Sequence, residues 1–108
     1  MKEELLTIEN IRKYVSKGKV DWTNHCLNRL NKRNISISNV KTGIKNGKII
    51  EYYYDDYPYQ SCLILGKDIN GDALHIVCGI SESFVHIITA YRPNSDKWED
   101  DMKTRRGK

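Results

Sequence analysis

Apolar positions recur at helical spacing in the first half of the chain and alternate in the second. Leu5, Ile8, Ile11 and Val15 fall three or four apart. They predict a helix over residues 3–17, with acids in its first turn and Gly18 at the position that ends it. Thr23 offers a hydroxyl to a free backbone N–H and caps a second helix in which Leu27 and Leu30 face a core. Asn34, a residue that tolerates the left-handed conformation, stops it. Ser36 caps a third, shorter helix with Ile37, Val40 and Ile44 on one face and Gly47 at its end.

The period then changes to two. Residues 48–54 are rich in β-formers and precede the turn signal Asp55-Asp56-Tyr57-Pro58. Residues 61–65 make a second strand, and Asn70-Gly71 turns the chain into a third over 73–80. That strand places Leu74, Ile76, Cys78 and Ile80 on one face and His75 and Val77 on the other. Residues 84–92 make the fourth. If the hairpin closes over residues 81–83, His75 lies opposite Thr89 with Tyr91 diagonally nearby, and His86 falls on the other face. Pro93 ends this strand, and residues 95–99 begin like a capping box, predicting one short C-terminal helical turn. The fold class is α+β: N-terminal helices packed on an antiparallel three- to four-stranded sheet, in a single domain over 1–108. The pattern leaves open which sheet face the helices cover, because both faces of the last two strands are largely apolar.

Composition narrows the picture. With 39% hydrophobic and 30% charged residues in 108, the chain is an ordinary globular domain rather than a disordered one. No apolar run approaches the roughly 18 residues that span a bilayer. Acids near the N-terminus are unlike a signal peptide, so a cytoplasmic protein with no membrane partner is expected. Cys26, Cys62 and Cys78 are odd in number and form no Cys-x-x-Cys pair, which favours buried reduced thiols over disulfides or a metal site. Charge is asymmetric: residues 1–50 carry eleven bases against four acids, residues 51–101 three against ten, and a basic tail closes 103–108. A basic helical layer attracts polyanions, and equally well merely keeps a protein soluble.

Chemistry concentrates in the second helix. His25, Arg29 and Arg33 fall at i, i+4 and i+8, on one stripe of its surface near Lys32. An imidazole moves protons near neutral pH and guanidinium forks match phosphate oxygens, so the stripe reads as a phosphate-handling surface. His75 is polar within an apolar strand; a catalytic group and a core histidine bonded to Thr89 or a backbone carbonyl both fit. Tyr91 and Arg92 end the last strand, where a base could stack and a phosphate be held, or where Arg92 could pair with an acid. Arg105 and Arg106 in the tail offer nonspecific phosphate contacts. The tyrosines of residues 52–59 serve as a stacking platform or as ordinary half-buried sheet residues.

Several segments together carry a resemblance: Trp22-Thr23-x-His25-x-x-x-Arg29, Arg33-x-Ile35-Ser36, Val40-x-x-x-Ile44-x-x-Gly47, Asp56-x-Pro58-x-x-Ser61-Cys62-Leu63, Leu74-His75-Ile76-Val77, Ile88-Thr89-Ala90-Tyr91-Arg92-Pro93 and Trp98-Glu99. They resemble the uncharacterised domain-of-unknown-function family 4258; Asn34 stands where that family more often has Gly. The family is in turn similar to RelE/ParE-type toxins and related metal-independent ribonucleases, which implies a RelE-like fold. The resemblance implies a toxin of a type II toxin–antitoxin pair, an RNA-binding and metal-independent endoribonuclease with no cofactor and a cognate antitoxin, for instance one of the zinc-finger MqsA type. His25, Arg29, His75 and Tyr91 are then the catalytic candidates, and Lys32, Arg33, Arg92, Arg105 and Arg106 the RNA-binding ones. A non-catalytic module that binds nucleic acid or a partner, or a toxin acting on a protein target, uses the same surface without that chemistry.

Overall fold

The computed structural model describes residues 5–107. Three helices come first: α1 (Ile8–Ser16), α2 (Asn24–Lys32) and α3 (Ile37–Asn46), with a short strand β1 (Val20–Trp22) between the first two. Each helix is capped by a hydroxyl. Thr7, Thr23 and Ser36 accept the N–H of Asn10, Cys26 and Asn39 at 3.1, 3.0 and 3.0 Å, satisfying one orphan donor apiece. Thr7 thus starts α1 later than the apolar spacing predicted, and positions 3 and 4 of that predicted helix lie outside the described residues. Gly18 and Asn34 take the left-handed conformation at φ 75° and 57° and stop α1 and α2 as expected. Gly47 ends α3 in extended backbone instead. There the free carbonyls of Ile44 and Gly47 accept Arg12 of α1 at 3.1 and 2.5 Å, which ties two helices together.

Strands β2 (Lys48–Tyr53), β3 (Ser61–Lys67), β4 (Ala73–Ser81) and β5 (Phe84–Tyr91) follow. The sheet has five strands in the order β1-β5-β4-β3-β2, antiparallel except that β1 runs parallel to β5. The prediction of three or four antiparallel strands therefore falls short by β1. Three residues paired only with a distant strand leave no local alternation to read.

Helices cover one face only. Cys62, Ile64, Leu74, Ile76, Cys78, Ile80, Val85, Ile87 and Ala90 meet Ile11, Cys26, Leu30, Ile35, Val40 and Ile44 in one buried cluster. This is the Leu74/Ile76/Cys78 face, which settles the alternative left open by the sequence. α3 sits close on β3: a methyl on Gly66 would lie 2.6 Å from the Gly43 carbonyl carbon and 2.7 Å from its Cα. The three cysteines are free and buried within this layer.

The register of the last hairpin differs from expectation. Ser81 pairs with Phe84, closing a two-residue turn in which Glu82 and Ser83 have φ 53° and 65°. A bulge between Val77 and Cys78 then places His75 opposite Tyr91 and Val77 opposite Thr89. The extra residue on β5 inverts the alternation midway. His86, opposite Gly79, therefore shares the His75 face rather than lying on the other one.

That second face is closed at both ends by loops. After β5, Lys97 and Trp98 donate to the Asn94 carbonyl in a single turn initiated by Asn94, whose side chain accepts the Asp96 N–H, rather than by Ser95. Trp98 then bridges Arg105, folding residues 94–106 back over the sheet. At the opposite end Tyr59 lies over Gly79, where a methyl would sit 2.7 Å from its ring, and the Asp56 carboxylate accepts the Ser61 hydroxyl. Among the described residues no helix is long and apolar enough to cross a membrane.

Candidate nucleic-acid interface

α2 packs its Cys26 and Leu30 into the core and leaves His25, Arg29, Lys32 and Arg33 outward. Arg33, the C-cap residue, reaches across to β5: its guanidinium donates to Thr89 Oγ1 and to the Ala90 carbonyl, both at 2.9 Å. Because β1 stops at the level of Ile87, the outer edge of β5 beyond it is free to accept this side chain. Thr89 shares its sheet face with Tyr91 and His75, so Arg33 ties the end of the α2 stripe to the rim of the face that no helix covers. The side chains of His25 and Arg29 make no hydrogen bond or ion pair with another described residue. At 1.5 Å per residue, His25 is about 12 Å along the helix axis from Arg33, with Arg29 midway. The structure does not bring His25 into contact with His75 or Tyr91.

His75 is fully buried. Its Nε2–H donates to the Met102 carbonyl at 2.7 Å, while Tyr91 and Trp98 pack edge-on at centroid distances of 5.3 and 4.6 Å. Burial drives its pKa below the ordinary value, against the pull of the Met102 carbonyl and Glu51. The ring is neutral at pH 7, with an Nδ1 that finds no partner among the described residues. A side chain covered in this way cannot touch substrate, so His75 is corrected from a catalytic candidate to a core histidine bonded to a backbone carbonyl.

Tyr91 remains half-exposed beside it. Burial raises its pKa, partly offset by Arg105 and Arg33, so it carries its proton at neutral pH and suits a donor better than a base. Next to it, Glu51 accepts two bonds from Arg105 at 2.8 and 3.0 Å and one from Tyr53 at 2.8 Å. Burial pushes the Glu51 carboxyl up, but these bonds outweigh it and hold the group ionised. Arg105 also lies over the Trp98 ring, 4.6 Å from its centroid.

The remaining predicted phosphate contacts are engaged. Arg105 clamps the C-terminal segment, Arg106 pairs with Glu99 at 3.0 Å and bonds Ser95 O, and Arg92 pairs at 2.7 Å with the buried carboxylate of Asp68. These three guanidiniums have intramolecular partners, yet each stays 40% or more exposed. Lys32 joins Arg29 as an exposed cation on α2. Two cavities, of about 690 and 550 Å³, lie elsewhere: one beside Lys48, Lys67, Asp100 and Asp101, the other between α1 and α3 beside Arg12, Lys13, Lys41 and Lys45. The candidate site is thus an open surface rather than a pocket. Among the described residues no three His, Cys, Asp or Glu side chains gather as metal ligands.

What sequence reasoning missed is a chain of polar groups at the Tyr59 end of the same face. His86 Nδ1 lies 3.0 Å from Asp21 Oδ2 and its Nε2 lies 2.8 Å from Ser81 Oγ. Tyr59 stacks on the ring at 4.7 Å. The bulge in β5 puts His86 there, and neither the bulge nor β1, which carries Asp21, has a local sequence signal.

Fold and site together define a mixed α+β protein with a basic helix at the rim of a half-covered sheet. Residues 22–92, about two thirds of the chain, match the family described as Domain of unknown function (DUF4258), and the chain belongs to that family. The match takes in α2 and runs to Arg92, leaving out α1 and the C-terminal segment that covers His75. No curated protein and no solved structure matches.

Proposed function

We propose that this protein is the toxin of a toxin–antitoxin pair, acting in the cytoplasm as a metal-independent endoribonuclease of the RelE/ParE-like group and held in check by a cognate antitoxin. The observation that carries the reading is Arg33 bonded to Thr89 and Ala90, which ties the helix bearing the unpaired His25 and Arg29 side chains to the strand that ends at Tyr91. Cleavage without a metal needs a base for the 2′-OH proton, an acid for the leaving 5′-oxygen and cations for the charged phosphorane. His25 is the exposed imidazole available for proton transfer on this stripe. Arg29 and Arg33 bear on the phosphate, and Tyr91, which keeps its proton, is the acid or a stacking ring. Phosphates about 6–7 Å apart along a strand match the one-turn spacing of the stripe, about 6 Å, so an RNA strand lies along α2.

The test is to incubate purified wild type and His25→Ala with mixed RNA in chelator, following cleavage and binding side by side. Cleavage by wild type, lost in the variant with binding kept, supports the reading. Binding without cleavage by either favours a non-catalytic module, and neither activity favours a protein target.

A further inference from the structure

The Asp21–His86–Ser81 chain takes no part in the proposed cleavage of RNA, and its geometry is specific. A carboxylate only accepts, so the proton on His86 Nδ1 is donated to Asp21 across 3.0 Å. When the ring carries that proton alone, Nε2 holds a lone pair and accepts the Ser81 hydroxyl proton across 2.8 Å. Nucleophile, base and orienting acid thus stand in the order, and on the ring nitrogens, that an activated serine requires. Tyr59, stacked at 22° to the imidazole, fixes the ring on its face.

The backbone adds two further observations. Ser81 is the last residue of β4, and the turn that follows holds Glu82 and Ser83 at φ 53° and 65°. Two-residue hairpins normally use Asn-Gly at such positions, so a strained turn directly follows the hydroxyl and sets it at the end of the sheet. The N–H of Glu82 makes no hydrogen bond to another described residue. An amide directly after a nucleophile is the position from which a developing oxyanion is stabilised.

We propose that Ser81, His86 and Asp21 form a nucleophilic triad that hydrolyses carboxylic esters at the Tyr59 end of this sheet face. As the Ser81 Oγ–acyl carbon bond forms, the hydroxyl proton passes to His86 Nε2. The bond from the acyl carbon to the leaving oxygen breaks, and that oxygen takes the proton from His86. Water then attacks the acyl-serine by the same route, releasing the acid and restoring Ser81. One ester and one water become one acid and one alcohol.

The full-length protein is treated with a fluorophosphonate probe, the adduct is located by peptide mass mapping, and p-nitrophenyl acetate hydrolysis is followed in parallel. A single adduct on Ser81 is expected, slowed at least tenfold in His86→Ala and in Asp21→Asn. Ser38→Ala, which alters an exposed serine of α3, should label like wild type. Circular dichroism confirms that each variant is folded, and the wild-type adduct needs no variant. Absence of a Ser81 adduct on folded wild type overturns the proposal, as does labelling that is equally fast without His86 or with Asn at position 21.

Discussion

Replacing Trp98 by Ala tests the cover on the second sheet face. Trp98 is only 2% exposed and packs between His75 and Arg105. A buried indole removes roughly 150–250 Å² from water, which at about 25 cal/mol per Å² is about 4–6 kcal/mol. That figure is an upper bound. Neighbouring side chains relax partly into the space left by the indole, which offsets part of the loss. About 3 kcal/mol follows, or roughly 13 °C in Tm for a chain of this size. A second readout is His75. Its folded pKa lies below its ordinary 6.5 because it is buried. This contribution to stability is fully present above about pH 6.5 and is lost as pH falls toward the folded value, where the unfolded chain has already taken up the proton. Uncovering the ring should return its pKa toward 6.5 and flatten that part of the pH dependence. Thermal unfolding and an NMR titration of the imidazole read both effects. A Tm within about 3 °C of wild type, with His75 still titrating low, would refute the reasoning.

Four further outcomes follow from the surroundings of single side chains. Arg29→Ala should leave stability within about 0.5 kcal/mol, since Arg29 bonds no described residue, yet weaken RNA binding and lower its salt slope by about one. Arg33→Ala should do the same to binding and also cost about 1 kcal/mol of stability, through two lost bonds at a solvent-accessible edge; calorimetry and filter binding at several salt concentrations separate the two. Gly66→Ala forces a methyl against the Gly43 backbone, which cannot rotate away, and should destabilise by about 3 kcal/mol or more in denaturant unfolding. Asp68, whose pKa is lowered by the backbone N–H of Asp72, by Arg92 and by the N–H of Asn70, contributes stability above its ordinary 3.8 that disappears as pH falls through its lower folded value. Asp68→Asn should therefore unfold at lower temperature near pH 7 and lose less on acidification to pH 3.

The parts of the fold legible in the sequence are those set by neighbours in the chain. Thr23 and Ser36 cap helices, and Gly18 and Asn34 end them, because a side chain or a φ angle acts within a turn. The alternation in residues 73–80 sorted the side chains onto two faces correctly, but only the folded chain shows that the Leu74/Ile76/Cys78 face meets the helices. The errors lie where distant pairing decides. β1 exists only because β5 accepts it, and the bulge beside Cys78 exists only in the paired hairpin. That single extra residue moved His86 onto the His75 face and hid the Asp21–His86–Ser81 chain. Charge patterning could not show the partners of Arg92 and Arg105 for a related reason: an unpaired guanidinium and one held by Asp68 or Glu51 look alike until the chain is folded. The α2 stripe was legible because its spacing is a property of one helix.

The most direct measurement is of the ends left on an RNA of defined sequence after incubation with wild type in excess chelator. Attack by the neighbouring 2′-hydroxyl, with protons moved by side chains, leaves a 2′,3′-cyclic phosphate on one fragment and a 5′-hydroxyl on the other. Those termini, formed by wild type and absent with His25→Ala, are the expected result. Fragments with 5′-phosphate and 3′-hydroxyl ends, or intact RNA after incubation with folded wild type, would contradict the account.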